Sequence, residues 1–244
     1  MTDLKSVSVW KINNYYRNSA IGLRGDCGFL FGKAGVIMQE YTTVSGEFSA
    51  EYVEKHSRFI AVCFNCETEA QASEIIAAQK SKYWDARHNV YAYILQDGTM
   101  RFSDDGEPHG TAGMPILDVI KGSGITNVLI VVTRYFGGIL LGTGGLVRAY
   151  STSARDALAG ATKVLMCECQ EYRVDCDYGS FDRLTRLISD CNGMVQSTDF
   201  TDKVIVSVMF KKCESEAFLE KLCETFASKL KANLQKEIFF PFIL

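Results

Sequence analysis

The sequence predicts a two-domain α+β protein, and three observations carry that expectation. Strand-like and helix-like patterns alternate over residues 58–160, where the apolar run Val128, Leu129, Ile130, Val131 and Val132 has the composition of a buried strand. From residue 163 the elements read βαββαβ, the order of a ferredoxin-like unit. Between the two halves, around residues 159–163, a glycine and a stretch of small residues mark a boundary. With 244 residues, 47% hydrophobic and 23% charged, the chain can fill two ordinary cores. The expected organisation is an N-terminal extension over 1–37, a first domain over 38–160 and a ferredoxin-like second domain over 161–244.

Residues 1–37 scatter their aromatics without a period, and patterned sequence begins just after Met38. Gly32 and Lys33 look like part of a phosphate-binding loop, but Ala34 replaces the needed hydroxyl and Cys27 the upstream glycine, so that reading fails. Residues 58–66 form a β-rich apolar run. Thr68, with Gln71 three residues on, predicts a capping-box helix start, and Ala72, Ile75, Ile76 and Gln79 continue at helical spacing. Residues 88–96 read as a strand with Val90, Ala92 and Ile94 on one face and Tyr91, Tyr93 and Leu95 on the other. Both faces are apolar, so the period does not choose a buried one. Asp97-Gly98 signals a turn into a strand over 100–102. A polar loop over 103–113 leads to a helix through 116–121, with Pro115 in its first turn. A strand over 127–134, a glycine-rich segment over 135–145 and a helix over 146–158 complete this half. The second half reads as strand 163–177, helix 181–191, strands 194–200 and 204–210, helix 214–230 and strand 237–243.

The net charge of −3 gives no global field for nucleic acid, so such a contact would need a local patch. No apolar run reaches the roughly 18 residues of a bilayer span, and the N-terminus lacks the pattern of a secretory signal. The expected location is the cytoplasm, without a membrane partner, and the nine cysteines are expected to be mostly free thiols. Cys63 and Cys66 should point to opposite faces of one strand, and Cys167 and Cys169 have no second pair at zinc spacing. Neither metal nor cofactor is expected.

Three segments could carry chemistry. The loop over 101–113 holds Asp104, Asp105, Glu107 and His109 among glycines and hydroxyls. It reads either as acid/base or metal groups, or as an acidic turn whose carboxylates cap backbone amides and the next helix. Asp104 and Asp105 are consecutive and should point apart, which weakens a paired-carboxylate mechanism. The segment over 134–148 contains Gly137, Gly138, Gly142, Thr143, Gly144 and Gly145 between Arg134 and Arg148. Glycines let a backbone approach an anion, a helix start adds partial positive charge, and arginines add bidentate donors. The alternative is a bend serving tight strand–helix packing. The third segment, Lys82-Tyr83-Trp84-Asp85-Ala86-Arg87-His88, sits at a helix-to-strand junction. Arg87 or His88 there could touch a ligand, or His88 could make a structural hydrogen bond.

Ser57-Arg58-Phe59-Ile60, Asp85-Ala86-Arg87-His88, Phe102-Ser103-Asp104-Asp105-Gly106-Glu107-Pro108, Gly110-Thr111-Ala112-Gly113 and the glycine-rich segment resemble, in order and spacing, the IMPACT/YigZ family. The resemblance covers roughly residues 40–160, and the second half resembles the C-terminal domain of bacterial YigZ-type members. It implies a first domain like domain IV of elongation factor G, a fold shared with domain 2 of a small-subunit ribosomal protein and using a left-handed βαβ crossover. It also implies a translation-linked regulatory role, exercised in eukaryotic members through protein contact, and offers no catalytic residues to carry over. His109 departs from the family pattern, where small residues are common.

The leading expectation is therefore a non-enzymatic module that contacts RNA, the ribosome or a translation-regulatory protein. Its candidate contacts are Arg87, His88, Arg134, Gly137, Gly138, Gly142, Thr143, Gly144, Gly145 and Arg148. The rival is a hydrolase or phosphate-ligand enzyme using Asp104, Asp105, Glu107 and His109. A third reading is a protein–protein scaffold.

Overall fold

A computed structural model describes residues 40–244, so the reading of 1–37 lies outside the described residues. Two compact units emerge, one of Tyr41–Leu165 with Phe242–Leu244, the other comprising Met166–Pro241. The two-domain α+β architecture is the one expected.

The first unit carries β1 (Tyr41–Ser45), β2 (Glu47–Glu54), β3 (Ser57–Asn65), α1 (Glu69–Lys82), β4 (His88–Ile94), β5 (Met100–Ser103), α2 (Gly113–Ser123), β6 (Val128–Tyr135) and α3 (Thr143–Gly160). Its sheet runs β2-β3-β6-β4-β5, and every neighbouring pair is antiparallel. One face is closed by α2 and α3: Phe59, Ala61, Val90, Ala92, Ile130 and Val132 pack with Ile116, Ile120, Ala149 and Ala154. On the other face Tyr93, Leu95, Leu129 and Val131 meet Ala72, Ile75 and Ile76 of α1. Both faces of β4 are thus buried, which is why its pattern alone could not choose between them. Cys63 and Cys66 fall in the two different clusters. Thr68 Oγ1 accepts from the Gln71 amide at 3.2 Å, and Gln71 Oε1 accepts from the amide of Glu67 at 2.8 Å. That is the expected helix start, with the return bond shifted one residue outward.

The second unit contains most of β7 (Thr162–Cys176), then α4 (Tyr178–Asp190), β8 (Met194–Phe200), β9 (Val204–Lys211), α5 (Lys212–Thr225) and most of β10 (Ala232–Ile243). The strand order β10-β7-β9-β8 is that of a ferredoxin-like sheet. Alternate residues Tyr172, Val174, Val204, Val206, Val208 and Phe210 face Leu184, Leu187 and Ile188 of α4 and Phe218 and Leu222 of α5.

Several elements differ from expectation, most of all at the first two strands and near the C-terminus. β1 and β2 were not foreseen; β2 is an edge strand that leaves Phe48 and Val53 exposed, so its alternation is weak. α5 stops at Thr225 instead of continuing to residue 230, because Ala227 and Ser228 adopt left-handed backbone with φ of 48° and 61°. β10 begins at Ala232, earlier than residue 237. Among the described residues no helix is long and apolar enough to cross a membrane.

Candidate functional site

The end of the first unit's sheet where β3 and β4 begin and β6 finishes gathers most of the candidate residues. Antiparallel pairing places Arg134 of β6 between Phe59 of β3 and His88 of β4. The Arg134 guanidinium carbon lies 5.5 Å from the Phe59 ring centroid and 5.7 Å from that of Phe136. Its Nη1 donates to Glu107 Oε1 at 2.5 Å, and the two side chains are only 6% and 3% exposed. The same oxygen accepts the Tyr150 hydroxyl at 2.7 Å. Burial, and then the charge of Glu107, push the Tyr150 phenol well above its ordinary range, so it stays a donor. Arg134 Nε is buried without a hydrogen-bond partner.

The acidic loop is divided among backbone tasks. Asp104 Oδ1 accepts the amides of Ala112 and Gly113 at 3.1 and 2.8 Å, and its Oδ2 accepts that of Gly110 at 2.9 Å. The carboxylate thereby serves the start of α2, where Ala112 offers no side-chain cap. Asp105 points the other way, as consecutive residues should: Oδ2 accepts the Asn89 amide at 2.7 Å and Oδ1 pairs with Lys80 at 2.7 Å. Burial raises the Asp105 carboxyl, but the Lys80 and Asn89 hydrogen bonds and the Lys80 charge outweigh it, and its pKa is lowered overall. This contribution to stability is present above the unfolded carboxyl's pKa and fades as pH falls through the lower folded value. His88 Nδ1 lies 2.8 Å from the Asp105 carbonyl oxygen, which can only accept, so that nitrogen carries the proton. His88 Nε2 then faces Glu107 Oε1 at 3.9 Å. His109 stays in solvent, its side chain 97% exposed.

The glycine-rich segment leaves β6 and enters α3. A Cβ on Gly137 would stand 2.0 Å from the His56 carbonyl carbon, so only glycine lets this chain pass the β2–β3 turn. Gly142, at φ +73°, gives α3 no side-chain cap. Thr143 and Gly144 are exposed there, and Arg148 is folded back with Nε donating to the Gly144 carbonyl at 3.3 Å. Arg87 is exposed, its guanidinium carbon 5.7 Å from the Phe136 centroid. Among the described residues no group of three His, Cys, Asp or Glu is placed to hold a metal. Burial raises the Cys63 thiol to about 12, which leaves it unreactive.

Residues 55–158 match the model of the Impact N-terminal domain, and residues 174–229 match that of a domain of unknown function, DUF1949. The IMPACT family member YigZ of Escherichia coli is 34% identical over 174 residues, 70% of this chain and 85% of that protein. The chain belongs to the IMPACT family. Its relative YvyE of Bacillus subtilis is 33% identical over 77% of this chain and 88% of its own length. A crystal structure titled as that of a hypothetical protein aligns with a TM-score of 0.54 at 30% identity, covering 82% of this chain and 99% of that one.

In this IMPACT protein the buried charge pair joins two of the candidate residues, Arg134 and Glu107, and His88 adjoins it. Arg87, Thr143, Gly144 and Arg148 stand exposed. Tyr150 and Lys80 were missed. A tyrosine on the core stripe of α3, beside Leu146, Ala149 and Ala154, needs a partner for its hydroxyl, and that was the available signal. Replacing Asp104 by Ala removes the acceptor of three amides and is expected to cost about 1–2 kcal/mol in urea unfolding. A loss no larger than that of an exposed surface substitution would contradict the capping role.

Proposed function

We propose that this IMPACT protein is a translation-linked regulator that works by binding, and that it contacts RNA or the ribosome through the start of α3 with Arg87 and Arg148. Family membership supports the translation link. The observation that carries the rest is the division of charge at the sheet end. The acidic groups are committed to backbone amides, Lys80, Arg134 and Tyr150, whereas the α3 start has no side-chain cap and holds Arg148 over its first turn. A helix start with glycine amides and a guanidinium suits a phosphate oxygen. Arg134 and His88, from beneath, would hold this surface in shape. The hydrolase reading would need at least one of these carboxylates free.

Arg87→Ala with Arg148→Ala is expected to weaken RNA binding in a low-salt mobility shift. For single-stranded RNA, its plot of log affinity against log salt should flatten by about 0.7 for each phosphate that the variant no longer neutralises. Equal binding and an equal slope in the variant would remove this loop from the interface. A protein-contact role for the second unit has one observation in its favour: Tyr178 and Phe200 are 58% and 60% exposed yet stacked with centroids 6.3 Å apart.

A further inference from the structure

Trp84 is 82% exposed and Leu140 83%, the two most exposed large hydrophobic side chains among the described residues. Both stand at the sheet end just described. Trp84 occupies the turn between α1 and β4, and that turn is pinned on both sides. The Ala86 amide donates to the Tyr83 carbonyl at 3.0 Å, the Arg87 amide to the Arg134 carbonyl at 3.2 Å, and the Tyr135 hydroxyl to Asp85 Oδ1 at 2.8 Å. The indole therefore sits on a rigid support, joins neither core cluster of the unit, and has no ring neighbour among the described residues. Cations adjoin it in the chain: Lys82 and Arg87, the latter beside Phe136 and the segment that leads to α3.

An exposed π-face on a pinned turn, with Lys82 and Arg87 within three residues of it in the chain, is poorly explained as packing and suits a base whose own neighbours have been removed. We propose that Trp84 is a base-stacking platform, and that the RNA bound at this surface carries unpaired bases there, not continuous duplex. Leu140, on the loop after β6, adds apolar surface at the same end. A stacked pair in a duplex hides its faces, so Trp84 could touch only the terminal base of such a helix. The inference rests on the RNA reading of the α3 start and specifies the form of RNA that it takes.

The chain has two tryptophans, so Trp10→Phe in the whole 244-residue chain makes Trp84 the sole indole reporter. Titration with single-stranded oligo(A) RNA at low salt is expected to quench its fluorescence saturably, and more tightly than the oligo(A)–oligo(U) duplex does. Trp84→Ala should weaken oligo(A) binding about tenfold while leaving the salt slope and the duplex affinity unchanged. Trp84→Phe should recover part of the loss. Saturable RNA binding without quenching, undiminished in Trp84→Ala, overturns the stacking role and leaves the RNA reading standing. So does a preference for duplex. No saturable binding of either RNA, by fluorescence or mobility shift, defeats the RNA reading and this inference with it.

Discussion

Glu107→Ala is expected to cost the first unit about 3–5 kcal/mol, because it strands the Arg134 guanidinium inside the protein without its counter-charge. It also takes the acceptor from the Tyr150 hydroxyl, which lies in the core between α3 and the sheet. Domains are commonly stable by only about 5–15 kcal/mol, so the first unit of the variant should melt about 10–25 °C below the parent chain. The pair itself need not be strongly stabilising; the penalty lies in breaking one side of it. A double-mutant cycle separates these quantities. Arg134→Met in the Glu107→Ala background removes the orphaned charge and should return a large part of the stability. Chemical unfolding followed by circular dichroism is the measurement. A loss under about 1 kcal/mol for Glu107→Ala would mean that water reaches Arg134 and that the pair is not buried in solution.

Gly137→Ala carries the second large effect. Its new Cβ would lie 2.0 Å from the His56 carbonyl carbon and 2.3 Å from both the His56 oxygen and the Ser57 nitrogen. All three are backbone atoms, so no side chain can swing aside to relieve the overlap. A loss of about 2–3 kcal/mol is expected, with amide shifts in the β2–β3 turn. Gly138→Ala is the control: φ there is +84° but a Cβ would meet nothing within 4 Å, so only the left-handed backbone cost of about 1–2 kcal/mol applies. Thermal melts of the two variants should rank them in that order. The opposite ranking would mean that the loop and the turn do not touch.

From β3 onward, element order was readable because hydrophobic periods report burial directly. Val128, Leu129, Ile130, Val131 and Val132 announced a strand covered on both sides, and the second half announced βαββαβ. What the sequence hid was anything fixed by distant partners. Glu107 and Arg134 are 27 residues apart and Lys80 and Asp105 are 25 apart, so no local pattern could pair them. The early end of α5 was hidden because its left-handed residues are Ala227 and Ser228, without the glycine that usually signals such a stop. Asp104 and Asp105 were half legible: their consecutive positions implied divergence, but the amides each would receive depend on the fold of the whole loop. Trp84 sat in plain view within a noted segment, and only its exposure gave it meaning.

β6 has seven of its eight residues buried, lies at the centre of its sheet and pairs along its length with β3 and β4. Its amides should be the slowest in the first unit to exchange with deuterium, opening only when the unit unfolds globally. The glycine-rich loop hangs directly from that strand. That anchor fixes where the loop leaves the sheet, so a partner meets its base at one place on the surface however the tip moves.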